Sequence, residues 1–179
     1  MTAYVCVLRG VNVTGVNKVA MSELRAMFEQ LGHANVSTYI QSGNVVFTSD
    51  RDSSGLAGEI RRALESTLGL NVPAILRSGS ELADVLERNP LDSGGRDPAR
   101  LHVTFLGQVP EPSLVAILKN HASPPDEFVI DGCEVYLHCP GGYGNTKLNN
   151  TFWERGLRVT ATTRNWKTVA KLTEMAASF

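Results

Sequence analysis

The order of the predicted strands and helices over residues 4–76 is the feature that most constrains how this chain folds. Residues 4–8 are apolar on both faces, which is typical of a strand buried in the middle of a sheet. Two further strand-like runs, 36–40 and 45–48, flank a tight turn at 41–44. Apolar residues at helical spacing precede and follow this hairpin, and the helices end at Gly32 and Gly69. With a last strand at 72–76, the order is β-α-β-β-α-β, which predicts a ferredoxin-like unit.

Pro73 supports this topology independently. A proline cannot donate a hydrogen bond to a sheet ladder, so the strand at 72–76 is expected at a sheet edge. The ferredoxin-like topology places its fourth strand at an edge for a separate reason, the order of the connections.

The second half of the chain repeats the pattern with little sequence identity. A strand at 101–106, a helix from Pro112 and a hairpin around Asp131-Gly132 are followed by a helix ending at Gly156. A short strand near 158–160 and a last helix from about Arg164 to Ala177 complete the repeat. The predicted fold class is α+β, with two ferredoxin-like halves and mainly antiparallel sheets covered by helices on one face. The predicted domains are 1–89 with a connecting helix, a linker at 90–100, and 101–179 with a C-terminal helix.

Composition argues against several classes of function without excluding an RNA-binding one. A net charge of -1 gives no bulk attraction to nucleic acid or to an anionic membrane. The three cysteines, Cys6, Cys133 and Cys139, form no C-x-x-C pair, which argues against a disulfide scaffold. Cys133 and Cys139 share a strand face with core residues, so we predict no metal site there. With neither a leader peptide nor an apolar span of membrane length, we expect a cytoplasmic protein.

Three segments carry a resemblance to a known family. They read LRGVNV at 8–13, TYIQSGNVVF at 38–47 and TTRNW at 162–166. In order and spacing they resemble the bacterial family called domain of unknown function 1697, over nearly the whole chain. The resemblance implies an α+β fold with two ferredoxin-like halves, and it implies no catalytic role because the family has no established activity. Thr14 stands where the family pattern has a glycine.

The loop after the first strand and the hairpin turn are predicted to form one ligand site. In a β-α-β-β unit the third strand lies antiparallel between the first two, so the turn and the loop meet at the same sheet end. Amides and cations near a helix start suit a carboxylate or a phosphate. The predicted ligand-binding residues there are Arg9, Asn12, Asn17, Lys18, Gln41, Ser42 and Asn44. The alternative is that Asn12, Ser42 and Asn44 only hold turns, and that Arg9 pairs with a carboxylate.

Further anchors are predicted in the second half. Lys147 ends the glycine-rich segment 141–147, whose spacing fits neither a Walker loop nor a dinucleotide fingerprint. Thr162 or Thr163 is expected to cap the last helix, and Arg164, Lys167 and Lys171 are expected to share a basic face beside Asn165.

Three functions are open at this point, and the sequence identifies neither a cofactor nor an enzymatic reaction. The favoured one is binding of a phosphorylated or carboxylated small molecule. The second is an RNA-binding module that stacks bases on Tyr4 and Phe47, the aromatic residues of the central strands. The third is a protein-interaction or assembly module without catalysis.

Overall fold

Two four-stranded antiparallel sheets organise the protein, one in each half of the sequence. A computed structural model describes all 179 residues. They divide into one unit of Met1–Ala83 with Lys171–Phe179 and a second unit of Asp84–Ala170. The domain boundaries predicted at residues 90 and 100 stay a prediction, because this division into compact units does not show which segments fold independently.

The first unit has the predicted β-α-β-β-α-β order. Its elements are β1 (Thr2–Leu8), α1 (Met21–Gln30), β2 (Ala34–Tyr39), β3 (Asn44–Ser49), α2 (Ser53–Leu68) and β4 (Ala74–Ser78). The strand order is β2-β3-β1-β4, and every neighbouring pair is antiparallel. Pro73 directly precedes the edge strand β4, and its carbonyl oxygen accepts the Arg9 N–H at 3.0 Å. The α+β prediction is therefore confirmed for this half.

The core of the first unit lies between one sheet face and the two helices. Alternate residues of β1 (Tyr4, Cys6 and Leu8) pack in one buried cluster with apolar residues of α1 and α2. Local signals fix the ends of α2. Asp52 accepts the Ser54 N–H at 2.8 Å at its start, and Gly69 ends it in a left-handed conformation.

The second unit repeats this connectivity. Its elements are β5 (Leu101–Leu106), α4 (Pro112–Lys119), β6 (Glu127–Asp131), β7 (Glu134–His138), α5 (Asn150–Leu157) and β8 (Ala161–Asn165). The strand order is β6-β7-β5-β8, again antiparallel throughout. Two more helices connect or follow the repeats, namely α3 (Gly79–Glu87) and α6 (Trp166–Ala177). The prediction of two similar halves is confirmed.

The last strand and helix begin later than predicted. β8 covers Ala161–Asn165 rather than 158–160, because α5 continues past Gly156 and ends where Arg158 turns left-handed. Asn165 caps α6, since its Oδ1 accepts the Thr168 N–H at 2.8 Å; the predicted cap at Thr162 or Thr163 is wrong. Arg164 lies on β8 and cannot share a helical face with Lys167 and Lys171.

A buried histidine in the first unit predicts how stability depends on pH. His33 packs against the rings of Phe28 and Phe47, and its Nε2 has no hydrogen-bond partner. Burial lowers the pKa of His33 below its ordinary value of 6.5. Between the pKa of His33 in the folded chain and its higher pKa in the unfolded chain, the unfolded chain binds more protons. The free energy of unfolding therefore falls as the pH drops through this range. Urea unfolding of wild type and His33→Phe at pH 7 and pH 5 should show a smaller loss in the variant. An equal loss would contradict this assignment.

Candidate ligand site

One side chain, Asn12, closes the loop between β1 and α1. Its Nδ2 donates to the carbonyl oxygens of Val19, at 3.0 Å, and Gln41, at 2.8 Å. Its Oδ1 accepts the Val19 N–H at 2.9 Å. These bonds tie the base of the loop to the turn after β2. We call residues 9–19 the anchored loop.

The backbone of the anchored loop follows an uncommon path. Asn17 Nδ2 donates to the Gly10 carbonyl oxygen at 2.9 Å, and the Val16 N–H donates to the Val13 carbonyl oxygen at 2.9 Å. Five of its residues have positive φ, namely Gly10, Asn12, Thr14, Gly15 and Asn17. Glycine and asparagine tolerate this conformation, which explains why the loop is rich in them.

The turn at residues 40–43 closes against the end of β1. The Leu8 N–H donates to the Gly43 carbonyl oxygen at 2.9 Å. Asn44 is buried, and its Nδ2 donates to the Tyr39 carbonyl oxygen and to Ser42 Oγ, each at 2.9 Å. The anchored loop and this turn therefore meet at one sheet end, as the topology predicted.

The seven residues predicted at this sheet end differ in what they contact. The amides of Asn12, Asn17 and Asn44 hydrogen-bond within the loop and the turn. Lys18 and Gln41 are exposed, whereas Arg9 and Ser42 are half-buried. The geometry of Asn12 and Asn44 thus fits the alternative in which these side chains hold turns.

Ile40 is a feature of this sheet end that sequence reasoning missed. Its φ is 51°, although a β-branched residue is strained in the left-handed region, and its side chain is 49% exposed. Val13 and Val16, at the tip of the anchored loop, are also exposed. The sequence signal was weak, because the alternation of residues 36–40 suggested that the strand continues through Ile40, whereas β2 ends at Tyr39.

The three residues predicted as further anchors lie in different settings. Arg164 is buried, and its Nη1 donates to Thr162 Oγ1 at 2.8 Å and to the Thr163 carbonyl oxygen at 3.0 Å. Asn165 is used as the cap of α6. Lys147 is exposed and lines a cavity of the second unit.

Comparison with known proteins places this chain in a family. The family model described as "Protein of unknown function (DUF1697)" matches residues 1–136. The chain belongs to this family. A solved structure of a conserved bacterial protein from Streptococcus pneumoniae superimposes on this DUF1697 chain with a TM-score of 0.78 and 26% sequence identity, covering 98% of each chain. No curated protein matches the sequence.

The two aromatic residues on which RNA stacking depended are buried in this DUF1697 protein. Tyr4 is 6% exposed and Phe47 is fully buried, with their ring centroids 5.7 Å apart. The Tyr4 hydroxyl donates to the Arg51 carbonyl oxygen at 3.2 Å. A base cannot reach either ring without opening the core, so the predicted stacking on these residues is wrong.

The DUF1697 chain has no cluster of metal-binding side chains, and its Cys139 thiol is buried. No three histidine, cysteine, aspartate or glutamate side chains are grouped so that they could hold a metal ion. Burial raises the pKa of the Cys139 thiol to about 11, which keeps it protonated at neutral pH.

None of the helices combines the length and the apolar character needed to cross a membrane.

Proposed function

We propose that this DUF1697 protein binds a small molecule bearing a phosphate or a carboxylate at the anchored loop. The observation that carries the proposal is the hydrogen bonding of Asn12, which fixes the loop to the turn at Gln41. A loop held in this way loses little conformational entropy when a ligand binds, and this favours affinity.

Charge supports an anionic ligand. Lys18 is exposed and forms no ion pair with a carboxylate of the protein. Its stem runs back along the loop, because a Cβ built on Gly15 would lie 3.6 Å from Lys18 Cε. Arg9, at the other end of the loop, carries a planar guanidinium group, whose shape suits carboxylate and phosphate oxygens.

Gln41 gives the proposed site a means of orienting the ligand. Its backbone carbonyl is held by Asn12, while its side chain is exposed and offers a donor and an acceptor. Beside it, the exposed side chain of Ile40 supplies apolar surface for the uncharged part of a ligand.

A protein partner is the second candidate. The exposed side chains of Val13, Val16 and Ile40 belong to the same sheet end, and exposed apolar groups of this kind favour protein contact. Under this reading the anchored loop docks a polypeptide, and small anions have no effect on stability.

Thermal unfolding with a ligand panel tests the proposal. The panel contains inorganic phosphate, citrate, sugar phosphates and nucleotides, and the variants are Arg9→Ala and Lys18→Gln. A ligand at 100 times its Kd stabilises by about 2.7 kcal/mol, which raises the Tm by several degrees in a chain of this size. We expect this shift in wild type and its loss in both variants.

Arg61→Ala is the matched control, because Arg61 is an exposed cation on α2 of the same unit. It removes one positive charge from that helix rather than from the anchored loop, and it should retain the shift. If Arg9→Ala unfolds, Lys18→Gln still decides the outcome. A wild-type chain that responds to no anion, or a Lys18→Gln variant that responds fully, would contradict the proposal.

The strain at Ile40 gives a further prediction. Ile40→Asn should raise the stability of the ligand-free protein by about 1 kcal/mol, because asparagine accepts a positive φ more readily. The matched control is Val13→Asn, which removes an exposed β-branched side chain whose φ is not positive. Urea unfolding of both variants measures the difference. Equal changes would show that the conformation of Ile40 carries no strain.

A further inference from the structure

A cavity lined by both polar and apolar groups lies within the second unit. Its volume is about 400 Å³, within the range of small-molecule sites. One wall is formed by the segment 121–126, which leads into β6, and the other by the glycine-rich segment that ends at Lys147. This cavity is separate from the anchored loop of the first unit, and the family has no established function that would explain it.

Opposite charges line the two walls of this cavity without pairing. Asp126 is half-buried, and no lysine, arginine or histidine forms an ion pair with it. Lys147 is exposed on the other wall and has no carboxylate partner. A cationic ligand group is attracted to Asp126, because no cationic side chain of the protein pairs with this carboxylate.

The carboxylate is held in a fixed position. Thr146 Oγ1 accepts the Leu148 N–H at 3.1 Å, and the same hydroxyl donates to Asp126 Oδ2 at 2.5 Å. The Asp126 N–H donates to the Ser123 carbonyl oxygen at 2.8 Å. One carboxylate oxygen is therefore fixed by the protein, and Oδ1 is left for a ligand.

Asn145 adds an acceptor on the wall that carries Lys147. Its Nδ2 donates to the Gly141 carbonyl oxygen at 2.8 Å, which leaves its Oδ1 available at the cavity wall. Two oxygen acceptors on fixed segments suit an ammonium group, which has three donors. Lys147 supplies the complementary charge for a carboxylate.

We propose that this cavity binds a small zwitterion of the α-amino acid class. The ligand's ammonium group contacts Asp126 and Asn145, and its carboxylate contacts Lys147. The side chain of the ligand rests against Pro124 and Pro125, which give the same cavity an apolar surface. A simple anion is repelled by Asp126 and a simple amine by Lys147, so both charges are required. This inference does not depend on the anchored loop.

Calorimetric titration of the full chain with the common amino acids tests the proposal. Each amino acid is compared with two analogues, the acid that lacks the amino group and the amine that lacks the carboxylate. We expect binding by at least one amino acid and none by its analogues at the same concentration. Asp126→Asn and Lys147→Gln should each weaken binding by about tenfold or more.

Two glycines of the same loop provide a steric test and its control. A Cβ added at Gly141 or at Gly144 meets no atom within 4 Å, and neither has a positive φ. Gly141 lines the cavity and Gly144 does not. Gly141→Leu should therefore abolish binding, while Gly144→Leu should bind as wild type does. No binding by any amino acid, equal binding of the acid analogue, or full binding by Gly141→Leu would overturn the proposal.

Discussion

Replacing Gly43 with alanine is expected to destabilise the protein by about 3 kcal/mol, the sum of backbone strain and overpacking. Gly43 has φ +79°, and an added Cβ would lie 2.9 Å from Leu8 Cβ and 3.2 Å from Val11 Cβ. Leu8 cannot retreat, because it is fully buried and its N–H is bonded to the Gly43 carbonyl oxygen. The clash therefore separates the turn from the end of β1.

The Gly10→Ala variant separates the effect of backbone strain from the effect of overpacking. Gly10 has φ +70°, yet a Cβ added there meets nothing within 4 Å. Its substitution is expected to cost only the strain, about 1–2 kcal/mol. Urea unfolding of both variants against wild type measures the difference. If Gly43→Ala and Gly10→Ala lose the same stability, the close approach of the turn to Leu8 does not require a glycine at position 43.

Asn12→Ala is the second substitution with a large expected effect. It removes the three hydrogen bonds that Asn12 makes to Val19 and Gln41, and we expect a loss of about 2–3 kcal/mol. The proposed anion response should weaken as well, because the anchored loop is no longer held in one conformation. Urea unfolding and the thermal shift with the panel report the two effects separately.

Asn35→Ala is the matched control for Asn12. Asn35 also has a positive φ, 51°, but its Nδ2 makes a single hydrogen bond, to Thr48 Oγ1 at 3.1 Å. It should cost about 1 kcal/mol and leave ligand binding unchanged. Asn12→Asp adds a sharper test, because a carboxylate keeps the bond to the Val19 N–H and loses both donations. An Asn12→Ala variant as stable as Asn35→Ala would contradict the role assigned to Asn12.

The position of the candidate site was predictable from chain topology. Once residues 4–76 were assigned as β-α-β-β-α-β, the third strand had to lie between the first two, and the loop and turn had to meet. The hydrogen bond between the Leu8 N–H and the Gly43 carbonyl oxygen confirms this. Pro73 also lies at the predicted edge, because its missing donor excludes it from the interior of the sheet.

The directions of individual side chains were not predictable. A side-chain amide can hydrogen-bond to a ligand or to a nearby backbone group, and the path of the loop determines which of the two it does. The amides of Asn12 and Asn44 bond to the backbone. Arg164 was misplaced because a five-residue strand of polar and small residues has no clear apolar period. The opposed charges of Asp126 and Lys147 come from segments that only the folded second unit brings to one cavity.

An NMR titration tests the central claim, the location of the anion site, most directly. Amide chemical shifts of the ¹⁵N-labelled protein would be followed as inorganic phosphate, and then each sugar phosphate and carboxylate, is added. The proposal predicts saturable shifts concentrated at residues 9–18 and 40–44, which disappear in Lys18→Gln. Shifts confined to other segments, or no saturable shifts with any member of the panel, would contradict it.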